Sequence, residues 1–122
     1  KSSDFLWNHM YEDQFIKGIT ITMNGFYAPQ VRSLRIPLSQ PDVLKNCEDI
    51  IFNNLKVTNI EMETSGLYAF GKIFNHEVIS LNTVLANRAL GLFSSNPSKS
   101  IEKLIKFTLS KIESIWVGMI FG

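Results

Sequence analysis

The chain has 122 residues, of which 45% are hydrophobic and 19% are charged, so a folded core is feasible and extensive disorder is not expected. Its net charge is +1 at pH 7 without a run of Lys or Arg, which argues against nucleic acid or an anionic membrane as a partner. The single cysteine, Cys47, excludes an internal disulfide and a zinc site built from several cysteines. Without a membrane-length apolar run or a signal peptide, the protein is expected to be cytoplasmic.

The first half of the chain predicts two helices and one strand. Residues 3–15 have apolar side chains at loose helical spacing and predict a helix. Residues 18–23 alternate between apolar and Thr side chains in the manner of a half-buried strand. Residues 26–38 contain two prolines and predict a loop. A second helix is expected to start with Ser39 as its cap, because apolar side chains recur at helical spacing as far as Leu55.

The second half repeats this alternation. Residues 57–61 predict a short strand, and the apolar side chains between Leu67 and Phe74 predict the helix that follows it. Residues 77–86 are nearly all apolar or small, which is typical of a strand buried on both faces. A final amphipathic helix is expected to begin at Pro97, because proline suits the first helical position.

This order of helices and strands predicts an α/β fold, with a mixed sheet flanked by helices. In such sheets ligands bind at the carboxyl ends of the strands. Unusual polar residues follow each predicted strand, at Asn24 to Arg32, at Glu61 to Thr64 and at Asn87-Arg88. The sequence is therefore compatible with a small-molecule site at that edge of the sheet.

Three short motifs occur in order along the chain. Residues 26–32 read Phe-Tyr-Ala-Pro-Gln-Val-Arg, residues 61–63 read Glu-Met-Glu, and residues 84–88 read Val-Leu-Ala-Asn-Arg. Their order and spacing resemble the C-terminal half of a nucleoside phosphorylase of the uridine phosphorylase type. The resemblance implies that residues 1–122 form a single partial domain, the C-terminal half of a three-layer phosphorylase-type domain.

The resemblance assigns the first and third motifs to the base. It implies that Phe26 stacks on the ring, that Gln30 and Arg32 bind its polar edge, and that Leu85 and Ala86 form an aliphatic wall. The chemistry suits uracil, because an amide offers both a donor and an acceptor while a guanidinium offers several donors to a carbonyl. A guanidinium fixed near the base would also stabilise the negative charge that develops on it as the glycosidic bond breaks, which gives Arg32 a catalytic role.

The resemblance assigns the second motif to the ribose. Glu63 would accept hydrogen bonds from the sugar hydroxyls and favour the positive charge that develops on the sugar, so it is the second expected catalytic residue. Met62 would supply an apolar surface beside the ribose, and Glu61 belongs to the same ribose-binding set.

The implied reaction is the reversible phosphorolysis of a pyrimidine nucleoside to the free base and ribose 1-phosphate. Inorganic phosphate would be the cosubstrate, with no other cofactor and no metal, and the parent enzyme would be a homo-oligomer. In the family the phosphate-binding residues lie in the N-terminal half, and this chain has no glycine-rich turn that opens a helix in that manner. We therefore expect the chain, which starts at Lys1, to be a fragment that is inactive alone.

Other interpretations remain open from the sequence. The parent could be a purine nucleoside phosphorylase or a nucleosidase, although purine-type relatives usually have Asp where this chain has Asn87. It could also be a non-catalytic nucleoside-binding module. In the simplest alternative, Gln30 and Arg32 are exposed loop residues, while Glu61 and Glu63 are solvated charges near a helix start.

Overall fold

The structure is a computed structural model that describes residues 1–121, and it consists of two compact units. One unit combines residues 1–12 with the chain from residue 77 onward, and the other comprises residues 13–76. We call these the terminal unit and the central unit. Helices and small sheets coexist in the chain, so the prediction of an α/β fold is confirmed at the level of fold class.

The central unit contains a three-stranded mixed sheet. Its strands are β1 (Ile19–Thr22), β2 (Ile51–Phe52) and β3 (Leu55–Glu61), in the order β1-β3-β2. β1 pairs with β3 in parallel, and β2 pairs with β3 in an antiparallel hairpin. The hairpin turns at Asn53 and Asn54, which both have positive φ angles, as a two-residue turn of type I′ requires.

The helix of the central unit that precedes this hairpin is shorter than the sequence indicates. α2 covers Val43–Glu48 and has Asp42, not Ser39, at its N-cap. The prediction of Ser39 as cap is wrong because Pro41 restricts the residue before it to an extended conformation, which delays the helix start. The helix does not continue to Leu55, because the chain is needed for β2 and its turn.

A helix follows β3 directly, as predicted. α3 covers Thr64–Ile73, and its C-terminus is closed by a hydrogen bond of 2.8 Å from the His76 N–H to the Gly71 carbonyl. Asn75 has a positive φ angle of 55°, the left-handed conformation that ends many helices. The helix therefore ends directly after the apolar side chains between Leu67 and Phe74 that predicted it.

The terminal unit pairs a short helix with a long one. α1 covers Asp4–Met10 and is shorter than the predicted residues 3–15, while α4 covers Pro97–Phe121 and begins at the predicted proline. An ion pair of 2.7 Å joins Lys111 of α4 to Glu12 just after α1. Among the described residues no helix is both long and apolar enough to cross a membrane.

The prediction of a long strand over residues 77–86 is wrong. Only β4 (Ala86–Asn87) forms there, paired with β5 (Leu92–Phe93). A strand needs a neighbouring backbone, and sequence composition alone does not supply one. The apolar side chains at the start of the segment instead line a groove of about 570 Å³ between α1 and α4, together with Leu6, Met10, Glu77, Leu104, Ile105, Thr108, Leu109 and Ile112.

Much apolar surface stays exposed in this chain. Its accessible area is 9701 Å². A globular protein of the same mass would expose about 6,700 Å², and two separate globules of half that mass about 8,000 Å² together. Large apolar side chains on α3 and α4 are among the exposed ones, including Leu67, Phe70, Phe74, Leu109 and Trp116. The described residues therefore bury less than a protein of this size normally does.

Just before β1, the backbone at Gly18 lies too close to Thr58 of β3 to leave room for a side chain. A Cβ atom at Gly18 would lie 2.1 Å from Cγ2 and 2.7 Å from Cβ of Thr58, which no side-chain rotation of Thr58 can relieve. We expect Gly18→Ala to lower the free energy of unfolding by about 1–3 kcal/mol, measured by urea unfolding. Gly66→Ala in α3 is the control, because its Cβ meets nothing within 4 Å. That variant should raise stability by about 0.5–1 kcal/mol, and equal effects of the two changes would contradict the clash.

Candidate functional site

The parallel pairing of β1 and β3 brings two of the motifs to one edge of the sheet. Thr22, the last residue of β1, lies opposite Glu61, the last residue of β3. A backbone hydrogen bond of 2.8 Å from the Met23 N–H to the Glu61 carbonyl extends this link by one residue. The chain then leaves β1 toward Phe26 and leaves β3 toward Glu63, so both segments start from the same place.

The first motif folds back on itself. Ala28–Gln30 form a single 3-10 turn, and Val31 follows in the left-handed conformation with a φ angle of 58°. The Arg32 N–H then donates to the Tyr27 carbonyl over 2.9 Å. A β-branched residue in this conformation is unusual and strained, so the turn is held by its surroundings.

This turn brings the three predicted base-binding residues of the motif into contact. Nη1 of Arg32 donates to the Phe26 carbonyl over 2.6 Å and to Oε1 of Gln30 over 2.5 Å. The guanidinium carbon also lies 3.8 Å from the centre of the Phe26 ring, which is a close cation–π contact. Gln30 is buried, so it is not the exposed loop residue of the simplest alternative.

The contacts also limit how a base could stack. The Arg32 guanidinium covers one face of the Phe26 ring, so a base would stack on the other face or displace the guanidinium. The Phe26 side chain is 51% exposed, which leaves ring surface open to a ligand. Nη2 and Nε of Arg32 point to no partner among residues 1–121 and can donate to a ligand carbonyl.

A cleft of about 400 Å³ lies beside this motif. It is lined by residues on either side of the loop before α2, namely Asn24, Ala28, Pro29, Leu38, Ser39, Gln40 and Val43. From the first motif the lining includes Ala28 and Pro29, but not Phe26, Gln30 or Arg32. Of the three base-side residues beside this cleft, Phe26 is exposed, Arg32 is half-buried and Gln30 is buried.

Glu61 is the most heavily bonded residue of the second motif. Its Oε1 accepts a hydrogen bond of 2.5 Å from the Thr22 hydroxyl, and its Oε2 accepts bonds of 2.7 Å from the backbone N–H groups of Glu63 and Thr64. The Thr64 hydroxyl is a further donor to this carboxylate. The Thr22 oxygen in turn accepts a 3.0 Å bond from the Ser65 N–H. The start of α3 is therefore capped by Glu61 and Thr22.

These bonds set the charge state of Glu61. Partial burial raises the pKa of its carboxyl group, but the hydrogen bonds from Thr22, Glu63 and Thr64 together lower that pKa below its ordinary value of 4.5. Glu61 is therefore held as a carboxylate, with donors around both oxygens.

Glu63 and Met62 are more exposed than Glu61. Both side chains are exposed, and one oxygen of Glu63 accepts a 3.1 Å hydrogen bond from the Met62 N–H. Among residues 1–121 no ion pair joins Glu63 to Arg32, so the two charges stay available to a ligand. Glu63 also occupies the N-cap of α3 without capping it through its side chain, because Glu61 already does so.

The third motif lies in the terminal unit. Ala86 is in β4, and the carbonyl of Leu85 accepts a 2.8 Å hydrogen bond from the Ser94 N–H. Both side chains are half-buried, whereas Asn87 accepts a hydrogen bond from the Leu90 N–H within the hairpin turn. The residues of the first and second motifs, by contrast, all belong to the central unit.

Two threonines that matter to this site were not among the predicted residues. Thr22 and Thr64 both bind the Glu61 carboxylate. The alternation of β1 places Thr20 and Thr22 on one face of the strand, and Thr20 makes the equivalent 2.8 Å bond to Asn59 of β3. This periodicity was the available signal, but its use required the parallel register of the two strands.

No family model, curated protein or solved structure matches this chain. Within the described part of the chain there is also no group of three or more His, Cys, Asp or Glu side chains placed to hold a metal ion.

Glu61 predicts a pH dependence of stability. The pKa of Glu61 in the folded chain lies below its ordinary value of 4.5. The ionised carboxylate therefore contributes its full stabilisation of the fold above pH 4.5, and this contribution is lost as the pH falls through the folded pKa. We expect the free energy of unfolding of the wild type to decline between about pH 5 and pH 3 more steeply than that of Glu61→Gln, measured by urea unfolding. Glu48→Gln, on the exposed surface of α2, should keep the wild-type slope; identical slopes for all three proteins would remove Glu61 as the cause.

Proposed function

We propose that this chain is part of a nucleoside phosphorylase of the uridine phosphorylase type. The observation that carries the proposal is the contact between Arg32, Gln30 and Phe26. This cluster follows the end of β1, and Glu63 follows the paired end of β3. A polar, donor-rich group with an aromatic face lies on one segment, and an exposed carboxylate lies on the other. That combination fits a ligand with a flat polar base and a hydroxylated sugar.

The base side has a defined chemistry. The Arg32 bond to Oε1 of Gln30 fixes the orientation of the amide, since only the oxygen can accept. The buried Gln30 side chain thereby holds the guanidinium in place, while Nη2 or Nε of Arg32 can donate to a uracil carbonyl. As the bond from the sugar to the base breaks, its electron pair moves to the base, and the guanidinium stabilises that charge.

The ribose side depends on Glu63. Its exposed carboxylate can accept hydrogen bonds from the two ring hydroxyls, and its negative charge favours the cationic character of the sugar in the transition state. Met62, also exposed, would cover the apolar surface of the sugar beside it.

Phosphate would have to be bound elsewhere. The N-terminus of a helix is a common phosphate site, but the first N–H groups of α3 already donate to Glu61 and Thr22. We therefore propose that the 122-residue chain binds nucleoside but does not turn it over without the phosphate-binding half of such an enzyme. The same proposal carries a cytoplasmic, self-associating parent protein that uses phosphate and no metal.

Binding of uracil and uridine to the chain tests the base side. We expect Arg32→Ala to weaken both ligands about tenfold or more, because a hydrogen bond from a charged group contributes roughly 1.5–3 kcal/mol. Chemical-shift titration by NMR is suited to the weak affinities expected of a partial site. Arg35→Ala is the matched control, since Arg35 is an exposed arginine of the same loop.

The choice of ligand separates the possible outcomes. Uridine binding with no turnover in phosphate supports the proposal, and stronger binding of inosine than of uridine would favour a purine-specific relative. A wild-type chain that binds neither uridine, uracil nor inosine, or an Arg35→Ala effect equal to that of Arg32→Ala, would refute it.

The ribose side has its own test. We expect Glu63→Gln to weaken uridine about tenfold and to leave uracil nearly unchanged, because only uridine carries the sugar hydroxyls. Glu48→Gln removes an equally exposed carboxylate from α2 and should change neither affinity. An equal loss of both ligands in Glu63→Gln would show that Glu63 does not act through the sugar.

A further inference from the structure

We propose that Glu61 is a positioning residue that fixes Glu63 for the ribose, and that Glu61 is not a ribose ligand itself. This inference rests on the proposed function and departs from the role that the family resemblance gives to Glu61. It is carried by the hydrogen bonds around the start of α3.

Donors of the fold already occupy the acceptor sites of the Glu61 carboxylate. A carboxylate has about four lone-pair sites on its two oxygens. Around Glu61 these face the hydroxyls of Thr22 and Thr64 and the backbone N–H groups of Glu63 and Thr64. A ribose hydroxyl could bind Glu61 only by displacing one of these donors. Two of the four are backbone N–H groups at the start of α3, and either of them would then lose its partner.

The Glu61 carboxylate holds the backbone of Glu63 in place. Oε2 of Glu61 binds the N–H of Glu63 itself, at 2.7 Å, so it fixes the backbone from which the Glu63 side chain departs. Oε1 is tied to Thr22 at the end of β1, and the Thr22 oxygen binds the Ser65 N–H. Glu61 and Thr22 thus join the end of β1 to the beginning of α3 through side chains.

Glu63 has far fewer hydrogen-bond partners than Glu61 among the described residues. Its side chain is exposed and accepts one hydrogen bond, from the adjacent Met62 N–H. The other acceptor sites have no donor among residues 1–121. Of the two glutamates in the motif, Glu63 is the one that can accept sugar hydroxyls without breaking a bond of the fold.

Thr22→Val tests the inference, because it removes the hydroxyl while keeping the shape and branching of the side chain. We expect it to weaken uridine about fivefold to tenfold in an NMR titration and to change uracil affinity less than about twofold. Thr20→Val is the matched control, since Thr20 makes a similar 2.8 Å bond across the same two strands but has no link to α3. If Thr22 only holds the strands together, both variants will affect both ligands alike.

A double-mutant cycle identifies the route of the effect. If Thr22 and Glu61 act through Glu63, Thr22→Val should cause little further loss of uridine affinity in a Glu63→Gln background. If Glu61 binds the ribose directly, the losses from Thr22→Val and Glu63→Gln should multiply, and the inference is overturned.

Backbone resonances give a readout that needs no ligand. Glu61→Gln should shift the amide signals of Glu63 and Thr64, and leave those of the Asn53-Asn54 turn in place. Unchanged signals at Glu63 and Thr64 would overturn the inference even if uridine binds. If the wild type binds no nucleoside while these signals do shift, the proposed function fails and Glu61 is left as a helix cap alone.

Discussion

The parallel pairing of β1 with β3 is the constraint on which the candidate site depends. It sets Thr22, at the end of β1, opposite Glu61, at the end of β3. Because of this register both motif segments begin at the same end of the sheet, and Glu61 can bind both Thr22 and the start of α3. A shift of one residue would turn the Thr22 hydroxyl to the other face of the sheet and leave the Glu61 carboxylate without that donor. The close approach of Gly18 to Thr58 further restricts how β1 can lie.

A large apolar area is exposed on the helices of both units. Apolar side chains along α3 and α4 face solvent in the described chain, and few residues are fully buried. Burial of apolar surface supplies most of the favourable free energy of folding, so a chain of this kind gains stability from any surface that covers these helices.

Local patterns of the sequence predicted much of the fold. The Ile-Thr alternation of β1, the proline at the start of α4 and the break at Asn75-His76 are each decided by residues close together in sequence. The failure at residues 77–86 has a different origin, because apolar composition does not distinguish a strand from a segment that packs between helices. Pairing partners lie far away in the chain, and a single sequence does not reveal them.

The candidate site was predictable to a similar extent. Arg32 contacts Gln30 and Phe26, and this grouping could be anticipated from the sequence because all three lie within one turn of the chain. The distinct environments of Glu61 and Glu63 could not be read from the sequence, although the two residues are of the same type and two positions apart. The difference arises from the Thr22 hydroxyl and the first turn of α3, which become neighbours of Glu61 only in the folded chain.

The position of β1 at the edge of its sheet has a consequence for backbone dynamics. The pairing register shifts between Ile19 and Thr20. Successive N–H groups along a strand point in opposite directions, so over residues 20–22 only alternate amides can be bonded to β3. The amides between them face away from β3, on the side of β1 where no further strand pairs among the described residues. Over residues 20–22, exchange of the amides that face β3 therefore requires the strand pair to open, whereas exchange of the amides that face away from β3 does not.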